Sequence, residues 1–81
     1  MNKEYSDLVL TFKSEYADFV KALSGGKVEE ALRSSMTMAC IVGSMRAIRE
    51  ISEVNKPELV ETAEGIIEDK VIQPLLSAVK K

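Results

Sequence analysis

The chain has 81 residues, 46% hydrophobic and 30% charged, a balance that excludes both a disordered tail and a membrane-embedded chain. Thirteen acids against eleven bases give a net charge of -2, so no general attraction to nucleic acid or anionic lipid is expected. Histidine is absent, which removes the commonest general base, the commonest neutral metal ligand and the usual pH switch.

One domain is expected at this length. The single cysteine, Cys40, cannot form an internal disulfide, so nothing points to an oxidising compartment. Residues Met1 to Asp7 carry acids where a signal peptide would need a basic region followed by an apolar core. The most apolar stretch, Met36 to Met45, is too short for a membrane span of about 20 residues. A soluble, cytoplasmic protein is the expectation.

Ser24-Gly25-Gly26, Asn55-Lys56-Pro57-Glu58 and Pro74 punctuate the chain. Two consecutive glycines stop a helix and supply a positive φ for its cap. Asn55 and Glu58 have the spacing of a capping box, and Pro57 suits a helix's first turn. Pro74 removes a backbone donor. No stretch alternates with a period of two, so the fold class is all-α. The spacing predicts helices at about 6–23, 27–54 and 56–73, with a short one at 74–79. These form a three-helix antiparallel bundle, kinked to four if Pro74 breaks the last rod.

Segment one gathers every aromatic residue of the chain (Tyr5, Phe12, Tyr16 and Phe19) onto one stripe of a helical wheel. An aromatic stripe on a small domain reads first as the wall of a core, and only second as a ligand surface. Segment two is odd. Its apolar side runs through Val28, Ala31, Leu32, Ser35, Ala39 and Val42, then turns by roughly 160–200° near Gly43 to Ile41, Met45, Ile48, Ile51 and Ser52. Either the helix breaks at Gly43, or one rod is buried on different sides along its length. A bend is expected there.

The same segment carries small residues at every fourth position: Ala31, Ser35, Ala39, Gly43 and Ala47. Such a ridge lets two helix backbones approach closely, within the subunit or between subunits. Met36 and Met45 add adaptable apolar bulk beside it. Segment three has Leu59, Val60, Ala63 and Ile66 on one face. After Ile67 the apolar groups, among them Val71, Ile72 and Leu76, are displaced by some 150°, and Lys70 falls in line with the first stripe. Face reversal and displaced groups together suggest a homo-oligomer, most simply a two-fold dimer. Its expected interface is the ridge with Met36, Met45, Ile72 and Leu76.

Catalytic machinery is scarce. Without histidine no Ser–His or Cys–His pair can assemble, and Cys40 is expected inside an apolar stretch where a thiol is unreactive. Gly25-Gly26 lacks the residues that complete a phosphate loop. Glu61, Glu64 and Glu68 share a helix face, yet di-metal bundles use inward-facing carboxylates with histidines. No catalytic residue, cofactor or metal is expected. Residues 50–69 hold seven acids against Lys56 alone, and Glu58, Glu61, Glu64, Glu68 and Asp69 form an acidic patch that solvates the surface or steers a basic partner. Arg33, Arg46 and Arg49 are separated by acids and trace no phosphate-tracking stripe.

In its general look the chain is similar to small bacterial or phage accessory proteins, although no motif names a family. The reading that follows is a non-catalytic protein–protein interaction module, an inhibitor, adaptor or chaperone-like accessory that binds a larger protein through its helices. The alternative is a self-assembling structural or scaffold subunit.

Overall fold

Asn2 opens the first helix. In the computed structural model, which describes residues 2–80, its Oδ1 accepts a hydrogen bond from the Tyr5 amide at 3.1 Å. That cap starts α1 at Lys3, three residues before the predicted start, and the helix runs Lys3–Ser24. At its far end the Lys27 amide bonds the Ala22 carbonyl (2.8 Å) and the Gly26 amide bonds the Leu23 carbonyl (3.1 Å). These two crossed bonds are a Schellman cap, with Gly26 in the left-handed region at φ 74°.

The two glycines are therefore not equivalent. Gly26→Ala should lower stability by about 1–2 kcal/mol through backbone strain alone, since nothing lies within 4 Å of the added Cβ. Gly25 has φ -84°, and an added Cβ would meet only ordinary contacts at 3.5 Å or more. Gly25→Ala should be neutral or stabilise by a few tenths of a kcal/mol, roughly. Thermal melts of the two variants, moving in different directions, check the cap.

The second helix, α2, spans Val28–Ile51 and passes through Gly43 without a break. It stops three residues short of the predicted end, where Ser52 turns extended (φ -144°, ψ 155°). The loop that follows is clamped rather than capped. No side chain caps Glu58, so the expected Asn55–Glu58 capping box does not form. Instead the Tyr5 hydroxyl donates to the Lys56 carbonyl at 2.9 Å, and Arg49 Nη1 donates to the Pro57 carbonyl at 3.0 Å. Lys56 itself sits at φ 55°, a strained value for a residue with a Cβ.

Burial raises the Tyr5 hydroxyl above its ordinary pKa of 10.0, Glu58 and Glu61 add to the rise, and Arg49 opposes it. A raised folded-state value makes this contribution complete below pH of about 10 and lost as pH climbs through the folded pKa. Tyr5→Phe should cost about 1 kcal/mol at neutral pH and remove that alkaline loss. Urea titrations at neutral and alkaline pH read both effects.

The last rod is continuous over Leu59–Val79, as α3 (Leu59–Ile66), a π-helical stretch (Ile67–Ile72) and α4 (Gln73–Val79). The third helix thus begins at Leu59 rather than residue 56, and the short final helix joins it without a loop. Two pressures meet in the π stretch. Pro74 withholds the amide that an α pattern would offer to the carbonyl four residues back. The inward positions Ala63, Ile67, Val71 and Leu75 recur every four residues, and in an α-helix such spacing drifts by about 40° per step. Pairing from i to i+5 holds more residues per turn and absorbs that drift. Val71 therefore reaches the core and Lys70 faces solvent, the reverse of the placement expected from a regular wheel.

The described residues are 85% helix with no strand, and the three helices pack together. The molecule measures 44 × 17 × 14 Å. Most of the packing joins α1 to α2, with Tyr5, Phe12 and Phe19 buried against Met38, Ile41 and Met45. Along the other side of α2, Arg49 meets Glu61, Arg46 meets Glu64, and Ala39 lies across a crevice from Ile72. Falling numbers on one helix against rising numbers on the other define an antiparallel register.

Candidate functional site

Between Met36 and Met45 helix α2 carries no charge and is apolar almost all round, the pattern of a helix covered on every side. Within the subunit it is covered on only part of its circumference. Ala31, Met38, Ile41, Val42 and Met45 form one broad buried arc, with α1 on one flank and the α3–α4 rod on the other. The predicted reversal of faces resolves into this arc plus a second apolar face left outside. That outer face consists of Leu32, Met36, Ala39, Cys40, Gly43 and Ala47, all exposed, with Met36 at 61%.

The small-residue ridge is thus divided. Ala31 is fully buried and Ser35 half-buried, whereas Ala39, Gly43 and Ala47 are open to solvent. An added Cβ on Gly43 would meet nothing within 4 Å, so no helix of the same subunit approaches it closely. Ala31 and Met45, expected at an interface, belong to the core instead, because the arc they occupy faces α1 and α3. Cys40 is also displaced from its expected place: it is exposed on the outer face, not packed inside.

Ile72 and Leu76 are exposed, as their displacement on the wheel suggested, and Val79 continues them at the end of α4. Ile72 and Ala39 rim the same crevice, floored by Val42 and Ile67 with Glu64 and Glu68 beside it. Ile72, at the end of the π stretch, is therefore continuous with the outer face of α2, and the exposed groups of α4 follow it. Ionisable groups are sparse on this surface. From Ser34 to Met45 the only titratable side chain is the Cys40 thiol.

The acidic patch is smaller than the sequence window implied. Arg49 Nη1 donates to both oxygens of Glu61, at 2.8 and 2.7 Å, and Arg46 pairs with Glu64. Glu58, Glu68 and Asp69 are exposed and take no such partner among the described residues. A linear count could not see the two arginines, because they arrive from the antiparallel neighbour. Among the described residues no group of three acids or thiols is gathered to hold a metal ion, and no helix is long and apolar enough to cross a membrane.

Of the aromatic stripe, Tyr5, Phe12 and Phe19 are buried, and Tyr16 is half-buried beside an apolar crevice of about 180 Å³ between α1 and α3. Lys13 and Thr62 stand at its edge. Comparison with protein-family models, with curated proteins and with solved structures finds no match for this chain. The class defined by the fold is an all-α protein of three packed helices, with one apolar face uncovered.

Proposed function

We propose that the chain is a non-catalytic, cytoplasmic interaction module that associates through its helices and acts by occupying a surface on a larger protein. One observation supports this above others: the outer face of α2 meets the exposed Ile72, at the end of the π stretch, across the crevice at Ala39, and the exposed Leu76 of α4 follows one turn on. Continuous apolar surfaces on a small protein mark interaction sites more often than scattered exposed side chains do. Glu58, Glu68 and Asp69 would add steering toward a basic partner surface.

Affinity capture from the source cells tests the reading, with the wild-type chain compared with Leu32→Glu and Met36→Glu. Both positions are exposed, so far-UV helicity should persist in each variant. A partner protein enriched by the wild type and lost with both variants is the expected result. Equal capture by all three chains would remove the outer face from the interaction, and no enriched partner would defeat the proposal.

A further inference from the structure

We infer that the outer face of α2 and α4 is covered by a second copy of this chain, with the two α2 helices crossing antiparallel about a two-fold axis near Ala39 and Cys40. This deepens the interaction reading and rests on it: the second copy takes this face, and the dimer so formed is the species that meets the larger protein. The argument for a second copy begins with the shape of the face. Its first half is bulky (Leu32, Met36) and its second half small (Ala39, Gly43, Ala47), and all five residues are exposed. The space above Gly43 is open. An antiparallel pairing lays the bulk of each copy into the depression of the other. A parallel pairing would set bulk on bulk and gap on gap. A two-fold interface must be complementary to itself, and this face has that property in one orientation only.

The area also agrees. The 24 residues of α2 rise about 36 Å, and one helix about 10 Å wide would offer only roughly 360 Å² per copy. With the α3–α4 rod alongside, the strip widens toward the 17 Å breadth of the molecule and approaches roughly 600 Å² per copy. Specific dimers bury about 1,200 Å² or more in total. Ile72 and Leu76 are thus needed for the surface to reach that size, which gives their exposure a purpose. No charged side chain lies on α2 from Ser34 to Met45, so the α2–α2 contact strands no ion, while Glu64 and Glu68 stand beside it on the rod.

Sedimentation at tens of micromolar should give twice the 8.9 kDa chain mass for the wild type. It should give the single mass for Met36→Glu with helicity unchanged. Orientation is read by disulfide trapping in a Cys40→Ser background, mixing chains that carry Met36→Cys with chains that carry Gly43→Cys. The mixed disulfide should exceed either same-site disulfide severalfold. Dominant Met36→Cys self-linking would overturn the antiparallel arrangement, and a dimer that survives Met36→Glu would overturn the surface. A wild-type monomer would overturn the second copy as the occupant. The capture experiment above then decides the interaction reading on its own.

Discussion

Phe19→Ala should lower the unfolding free energy by about 3–5 kcal/mol, the cost of an emptied aromatic site in a core that relaxes only partly. Phe19 is 1% exposed in the core cluster that α1 shares with α2. A chain of this length commands roughly 4–12 kcal/mol in all, so the variant should lose at least about a quarter of its stability. The melting temperature should fall by at least about 12 °C. Leu10→Ala is the matched control. Its side chain lies on the solvent side of α1 at 63% exposure, and its effect should stay within about 0.5 kcal/mol. Equal losses at the two positions would mean that the aromatic stripe does not face the core.

The second large effect separates two adjacent residues. Val71→Asp should cost about 3 kcal/mol or more, because a carboxylate would be buried with no partner where the π stretch turns residue 71 inward. Ile72→Asp, one position on, places the same charge on an exposed site and should change chemical stability by less than about 0.5 kcal/mol. Urea denaturation followed by circular dichroism compares them directly. A regular α-helix would carry residue 71 only to the edge of the buried face, so the full cost of a buried charge at Val71, rather than its contrast with Ile72, reports the widened turn. For the proposed dimer the order inverts: Ile72→Asp should weaken association while leaving the isolated subunit folded.

How much of this was legible beforehand depends on the scale of the pattern. The helices and their order follow from periodicity and from the glycine and proline positions, which act locally. The aromatic wall was equally clear, since its residues share one face of an uninterrupted helix. Failures came where a remote part of the chain decides a local outcome. Asn55 and Glu58 have capping spacing, yet Tyr5, 51 residues away, and Arg49 fix that loop through its carbonyls. Arg46 and Arg49 pair with two of the seven acids in a run that looks almost unrelieved in one dimension. Cys40 lies in the most apolar stretch and is nonetheless exposed, because that stretch borders two faces and only one is covered. Val71 and Lys70 exchange places because a wheel drawn at 100° per residue assumes an α geometry that the chain abandons before Pro74.

The widened turn has a consequence for changes in chain length. Its inward positions, Ala63, Ile67, Val71, Leu75 and the half-buried Ala78, are spaced four, four, four and three apart. Deleting one exposed residue between Ile67 and Val71, such as Asp69, would make the spacing four, three, four and three, the rhythm of an ordinary α-helix. The same side chains would point inward and outward as before, and the rod would lose its π stretch together with one residue. In α2, which is α-helical from end to end, removing any residue would rotate everything beyond it by about 100° and exchange buried for exposed. The π stretch has the form of a single added residue that the helix has taken up without altering either of its faces. Length variation between close variants of this chain should therefore gather in residues 67–72 and avoid α2.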